Sequence, residues 1–174
     1  VSGTIGGFTL TNFNRFDATT YTLEFTVTEG GLDVAAGSDI PVSNLVIRDT
    51  ATNQSAAYNT PISQANDPID ANTPTITSVS IPNTSMKVGD IVMATTTVGA
   101  DGGDTYALVS GTIGGFTLTN FTPSDSTTYT AEFTVSEGGT DVSAGSDIPV
   151  ADLIIQDGAT NQSSTYNTPI AQGN

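Results

Sequence analysis

The 174-residue chain has no cysteine, no histidine and no tryptophan, and only three of its residues are basic. Without cysteine and histidine it has no disulfide, no Cys/His zinc site and no nucleophile activated by an imidazole base. Arg15, Arg48 and Lys87 are too few to neutralise phosphates, so we expect neither nucleic acid nor an anionic membrane surface as a partner. Membrane insertion is not expected either, because the apolar stretches are too short. We therefore expect a protein that is not an enzyme.

Acidic residues, by contrast, are abundant. The chain has 18 of them, which gives a net charge of −15, and 36% of its residues are hydrophobic, enough to form a core. No apolar stretch approaches the length of a membrane span. The sequence also begins without an initiator methionine or a signal-like segment, so we expect it to be an interior part of a longer protein.

The sequence repeats itself with a period of 108 residues. The string VSGTIGGFTLTNF begins at Val1 and again at Val109, and residues 1–66 match residues 109–174 at 49 of 66 positions without a gap. The polar, proline-containing stretch Ser63–Pro74 breaks the periodic pattern. We predict that residues 1–66 are the C-terminal part of one repeat, residues 67–72 are a linker, and residues 73–174 are a complete repeat.

Alternating apolar and polar residues predict β-strands throughout. In YTAEFTV, for example, every second residue faces the same side and is apolar, as expected of a half-buried strand. No stretch of ten or more residues has a helical apolar stripe. The sequence therefore predicts an all-β fold, an immunoglobulin-like β-sandwich in tandem repeats of about 108 residues. The complete repeat is predicted to have seven strands, Thr75–Ile81, Ile91–Val98, Thr105–Ser110, Phe116–Phe121, Tyr129–Val135, Pro149–Gln156 and Ser163–Ile170.

The loops of such a sandwich place the acidic residues at its two ends. The end that follows the linker receives Asp67, Asp70, Asp101, Asp104 and Asp157. The opposite end receives Asp90, Glu137, Asp141 and Asp147, and the counterparts of the last three in the preceding copy are Glu29, Asp33 and Asp39.

Clustered carboxylates repel each other by about 1 kcal/mol per pair at 4 Å even in water. Calcium offsets such repulsion and takes about six to eight oxygen ligands from carboxylates, amides and backbone carbonyls, which these loops supply. We predict calcium as the cofactor, with all twelve acids as candidate ligands. The alternative is that acidic turn residues only cap turns and keep the protein soluble.

Several longer strings resemble the extender repeats of giant bacterial RTX adhesins, the surface proteins of biofilm and ice-binding bacteria. They are TPTITSVSIPNTSMKVGD (73–90), SGTIGGFTL (110–118), TTYTAEFTVSEGGTDVSAGSDIPV (127–150) and DGATNQS (157–163). The turn that often reads D-x-A-G-N in that family reads Asp49-Thr-Ala-Thr-Asn53 and Asp157-Gly-Ala-Thr-Asn161 in this chain.

The resemblance implies a secreted, cell-surface module that is repeated many times and made rigid by calcium at domain ends and linkers. The ligands that it implies near the linker are Asp67, Asp70, Asp101, Asp104 and Asp157, joined by Glu29, Asp33 and Asp39 of the preceding unit. The implied function is that of a non-catalytic spacer that projects a distal adhesive domain, and the implied partners are neighbouring repeats of the same protein.

A carbohydrate- or protein-binding sandwich module is the alternative function. Its usual exposed aromatic platform is missing from the sequence, because there is no tryptophan and the tyrosines mostly fall on core positions of the predicted strands. Residues 1–66 also lack the first two strands of their own repeat, which leaves a strand edge unpaired. We expect either residues upstream of Val1 or strand exchange with another chain to complete that sandwich.

Overall fold

The computed structural model describes residues 1–65, 68–101 and 104–172. The chain divides into two compact units, Val1–Asn72 and Thr73–Asn174. Every regular element in the described residues is a β-strand, and all strand pairs are antiparallel. The prediction of an all-β fold is confirmed, and the antiparallel sheets are consistent with a β-sandwich. In the described part of the chain no helix is long and apolar enough to cross a membrane.

The described residues of the first unit form five short strands in two sheets. One sheet has the order β2-β1-β5 and the other pairs β3 with β4. The strands are β1 (Ser2–Ile5), β2 (Phe8–Thr9), β3 (Thr11–Arg15), β4 (Tyr21–Glu24) and β5 (Val42–Val46).

In the second unit, the described part of the chain forms seven strands, also in two sheets. A four-stranded sheet has the order β10-β11-β7-β6, and a three-stranded sheet has the order β12-β8-β9. The strands are β6 (Ile76–Ser80), β7 (Ile91–Val98), β8 (Ala107–Ile113), β9 (Phe116–Thr117), β10 (Thr119–Pro123), β11 (Thr128–Thr134) and β12 (Val150–Gln156).

The core of the second unit lies between its two sheets. Val92 and Phe133 come from the four-stranded sheet, whereas Ile113 and Leu153 come from the three-stranded sheet, and all four are buried in one cluster. The alternating apolar residues of β7 and β11 thus form one inner face, as their period of two requires. Gly111 lets β8 pass close to β12, because a Cβ at this position would lie 2.7 Å from Leu153 Cδ1.

The predicted last strand, Ser163–Ile170, is not a continuous strand in the structure. Only isolated bridges, such as Leu153 with Tyr166, connect this segment to its neighbours. The reason is that side chains replace backbone acceptors beside β12. Ile155 N–H donates to Ser163 Oγ at 3.1 Å, and Asp152 N–H donates to Asn167 Oδ1 at 2.8 Å.

The predicted strand Phe116–Phe121 is likewise divided. Its first part, β9, belongs to the three-stranded sheet, and its second part, β10, belongs to the four-stranded sheet. Leu118 lies between the two parts and is buried in the core. One alternating run therefore contributes to both sheets of the second unit.

One face of the first unit is uncovered in the described residues. Tyr21 of β4 is 45% exposed, whereas its counterpart Tyr129 of β11 is 1% exposed. The difference follows from strand pairing, because β11 pairs with β7 as well as β10, and β4 pairs only with β3 within the described residues. The first unit is thus open where the second has β6 and β7.

The predicted linker, residues 67–72, is partly integrated into the first unit. Ile69 and Ala71 are buried in a core cluster with Phe8, Val34 and Ile40. The polar composition of this segment therefore does not reveal that two of its residues belong to the core.

Candidate metal centre

Asp157 occupies a tight loop directly after β12. Its backbone N–H donates to the carbonyl of Asn161 at 3.1 Å, and its Oδ1 accepts the N–H of Asn161 at 2.9 Å. Thr160 has a positive φ of 75°, which closes the turn. The side chain is only 4% exposed, and its second oxygen, Oδ2, has no hydrogen-bond partner among the described residues.

The equivalent loop of the first unit has the same backbone but a different environment. Asp49 N–H donates to Asn53 O at 3.0 Å, and Asp49 Oδ1 accepts Asn53 N–H at 2.8 Å. Here, however, the Asn53 side-chain amide donates to Asp49 Oδ2 at 2.9 Å, and the carboxylate is exposed. These hydrogen bonds hold the pKa of Asp49 below its ordinary value. The buried, unpaired oxygen is therefore specific to Asp157.

A second acid of the same unit lies close to Asp157. Asp104 and Asp157 each offer one carboxylate oxygen, and these oxygens lie within 4.8 Å of each other. Asp157 is buried and Asp104 is half-buried, and both could contribute to holding a metal ion in the second unit.

Local hydrogen bonds involve Asp104 and, in the first unit, Asp70. The backbone N–H of Asp104 donates to the carbonyl of Asp101 at 2.9 Å. Asp70 Oδ1 accepts the N–H of Asn72 at 3.1 Å, a bond that is typical of acidic residues in loops.

Tyr106 lies within the electrostatic field of the same acids. Burial raises the pKa of its phenol to about 12, and the charges of Asp101, Asp104 and Asp157 add to the effect. Its ring packs 5.6 Å from that of Tyr129, centroid to centroid, and Phe121 stacks on Tyr129 at 4.8 Å. Tyr106 thus belongs to a packed aromatic group, and the charges of these acids act on its buried hydroxyl.

This arrangement favours a bound cation on physical grounds. A buried carboxylate oxygen without a hydrogen-bond donor is penalised by several kcal/mol unless an opposite charge compensates it. The three basic residues of the chain do not stand beside these acids in sequence, and Gln156 precedes Asp157 where Arg48 precedes Asp49. The buried, unpaired Oδ2 of Asp157 is therefore evidence for a ligand that the acidic composition alone does not provide.

The other predicted ligands have separate positions. Asp67 lies outside the described residues. Asp33 Oδ1 accepts Ala71 N–H at 2.8 Å, and Asp33 Oδ2 accepts the Asn72 side-chain amide at 2.6 Å, so it fastens the end of the first unit. In the described ranges, no group of three acids includes the exposed residues Glu29, Asp39, Glu137, Asp141 and Asp147.

Asp90 has a local structural role. Its Oδ2 accepts Lys87 N–H at 2.9 Å, and its own N–H donates to the carbonyl of Lys87 at 3.0 Å. Its carbonyl also accepts the N–H of Val135. Turn formation before β7 is therefore enough to explain an acidic residue at this position, and no metal ion is needed.

Sequence reasoning did not identify Tyr106 as a neighbour of the acids. Its period-two position indicates a core residue, and it is buried, with no indication that carboxylates act on its hydroxyl. The only available signal is its place two residues after Asp104.

Comparison with known proteins finds no match to a family model, a curated protein or a solved structure.

Proposed function

We propose that this protein is a non-catalytic, calcium-stabilised extender module of a secreted bacterial surface adhesin, with immunoglobulin-like repeats that act as a rigid spacer. The observation that carries the proposal is the buried Asp157 carboxylate, whose Oδ2 has no hydrogen-bond partner among the described residues, while Asp104 places an oxygen within 4.8 Å. The sequence resemblance to extender repeats supports the same conclusion.

Calcium is the ion that suits this donor set best. The chain has no histidine or cysteine, so a borderline metal such as zinc lacks its preferred nitrogen and sulfur ligands. Carboxylates in flexible loops suit calcium, which accepts irregular geometry, better than magnesium, which requires near-ideal octahedral geometry. Asp104 and Asp157 would hold the ion and would supply two negative charges.

Stiffness is the functional consequence that we propose. Calcium makes the extender repeats that the sequence resembles rigid, and we propose the same effect in this chain. An ion bound by Asp104 and Asp157 would hold the loops that carry them in one arrangement, whereas the same acids without an ion would repel one another. Neighbouring repeats are the partners of such a module.

The expected energies are large enough to matter for a domain without disulfides. Extracellular calcium modules bind with dissociation constants of about 10⁻⁴ to 10⁻³ M. Free calcium at roughly 100 times the dissociation constant adds about 2.7 kcal/mol of stability for each site.

The proposal is tested by thermal unfolding in excess calcium and in EDTA, with two matched variants. Calcium should raise the melting temperature of the second unit, and Asp157→Asn should abolish most of that increase. Asp49→Asn alters the corresponding loop, whose carboxylate is exposed and fully hydrogen-bonded, and should leave the increase intact. Equal melting in calcium and EDTA would disprove the calcium site.

The spacer role needs a separate measurement. Small-angle scattering of the whole chain should show a narrower distribution of maximum dimensions in calcium than in EDTA. Calcium binding without any change in scattering would retain the metal site and reject the spacer. Binding of the chain to a glycan array would instead favour a carbohydrate-binding module.

A further inference from the structure

The first unit contains a slot that is filled by its own last residues. Ile69 is buried against Phe8, Val34 and Ile40. The side chain of Ile69 reaches so far into this slot that a Cβ on Gly6 would lie 2.7 Å from its Cδ1.

Backbone hydrogen bonds fix the register of this filling segment. Val34 N–H donates to Ile69 O at 2.8 Å, and Ile69 N–H donates to Val34 O at 2.9 Å, so the two residues form an antiparallel bridge. Two residues further on, Gly30 N–H donates to Ala71 O at 2.9 Å. Asp33 accepts Ala71 N–H and the Asn72 amide. The first unit therefore binds three features of this segment, which are an aliphatic side chain, a small residue and a side-chain amide.

The second unit has the same slot walls, but none of its described residues fills the slot. A groove of about 1020 Å³ is lined by Gly114, Phe116, Gly138, Asp141, Val142 and Ile148, among others. These six residues are the counterparts of residues 6, 8, 30, 33, 34 and 40. The groove therefore repeats both the apolar wall and the hydrogen-bonding loop of the first unit.

The solvent exposure of two equivalent valines shows that the described residues leave one wall of this groove uncovered. Val34 is 6% exposed, whereas its counterpart Val142 is 38% exposed. A Cβ on Gly114 would meet nothing closer than Phe116 at 3.6 Å, so the space that Ile69 fills in the first unit is free in the second.

We propose that this groove is a docking site for an extended peptide segment of the type Ile-Asp-Ala-Asn, bound by strand addition to Val142. The aliphatic side chain enters between Phe116 and Ile148, the backbone pairs with Val142, and Asp141 accepts the amide groups two and three residues later. The occupant is specified by the filled slot of the first unit, and its binding requires neither calcium nor the spacer role. Strand addition gains affinity from main-chain hydrogen bonds and specificity from the side-chain pocket.

The test extends the full chain by eight residues copied from positions 67–74 and placed directly after Asn174. Residue 174 is the counterpart of residue 66. The copied segment therefore follows the second repeat at the same sequence position at which residues 67–74 follow the first. Tethering supplies a high effective concentration of the segment. The matched control has the same extension, but the copied segment carries the substitution Ile69→Ser.

The measurement is amide hydrogen exchange in EDTA, read residue by residue by NMR. The native extension should slow exchange of the Val142 and Gly138 amides by about tenfold or more relative to the serine control, since their counterparts donate to Ile69 and Ala71. Val34 serves as the internal reference, protected in every sample. Equal exchange with the two extensions would overturn the proposal.

Protection that appears in the unextended chain and rises with protein concentration would also overturn it, because the occupant would then be another copy of the chain. Since every sample contains EDTA, failure of the calcium proposal does not change these outcomes, and failure of docking does not change the calcium experiment.

Discussion

The hydroxyl of Tyr129 accepts a hydrogen bond from the backbone N–H of Tyr106 at 3.1 Å. The hydroxyl of Tyr106, in contrast, is buried and has no hydrogen-bond partner among the residues that the structure describes. Two tyrosines with rings 5.6 Å apart therefore differ in what their hydroxyl groups contribute to stability.

This difference predicts opposite results for two single-atom deletions. Tyr129→Phe should destabilise the second unit by about 1 to 3 kcal/mol, because it leaves the Tyr106 N–H buried without an acceptor. Tyr106→Phe should change stability by less than about 0.5 kcal/mol or increase it, because no hydrogen bond is lost. Denaturant unfolding in EDTA measures both, and a larger loss for Tyr106→Phe would contradict the structure.

Matched truncations of Val34 and Val142 compare the filled and the open slot. Val34→Ala removes two methyl groups from a buried core position and should reduce the stability of the first unit by about 1 to 2 kcal/mol. Val142→Ala acts at a position that is partly in solvent and should cost less than about 0.5 kcal/mol. Unfolding followed by NMR signals of each unit distinguishes the two effects, and similar losses would argue against an open groove.

The turn between β10 and β11 predicts a pH effect. Asp125 Oδ1 accepts Thr127 N–H at 2.9 Å, and this bond holds the pKa of Asp125 below its ordinary value of 3.8. Because the folded-state pKa is the lower one, the stabilisation is present above the unfolded-state pKa and is lost as the pH falls through the folded-state pKa. Asp17 has the same bond to Thr19 at 2.8 Å, and its pKa is lowered in the same way.

Carboxylate carbon chemical shifts in an NMR titration should therefore give midpoints below 3.8 for both residues. As a control, the difference in melting temperature between the native chain and Asp125→Ala should shrink as the pH is lowered. A midpoint at or above 3.8 would show that the Thr127 bond does not form in solution.

The open face of the first unit predicts that added strands will stabilise it. A copy of residues 73–108 placed before Val1 restores the order found before Val109, and its β7 copy should pair with β4 and cover Tyr21. The melting temperature of the first unit should rise by several degrees, because apolar area is buried. The same extension with Val92→Asp in the copied strand is the control and should give little or no increase. An equal rise with both extensions would refute strand pairing as the cause.

Much of the second unit could be predicted from local patterns. The strand Ile91–Val98 was predicted with its observed bounds, and Tyr129–Val135 differs from β11 by one residue at each end. Both strands alternate regularly between core and surface, so the local signal agrees with the tertiary environment. The segment Ser163–Ile170 has a similar pattern, but the side chains of Ser163 and Asn167 take the place of backbone acceptors, which alternation does not reveal.

The candidate metal centre was only partly predictable. Turn chemistry assigned Asp104 and Asp157 to loops, but their proximity depends on long-range folding. The loops Asp49–Asn53 and Asp157–Asn161 have nearly the same sequence, yet only the second has a buried carboxylate oxygen without a donor. The cause is the segment that contains Asp101, Asp104 and Tyr106, which has no counterpart in residues 1–66.

The burial of Ile69 and Ala71 also has a practical consequence for dissecting the chain. A truncation at the start of the predicted linker would stop at residue 66 and would remove both residues from the core of the first unit. A fragment that stops at Asn72 keeps them, together with the Asp33 bonds that anchor its terminus. Cloning boundaries for the first unit should therefore follow the packing of its side chains and include the predicted linker.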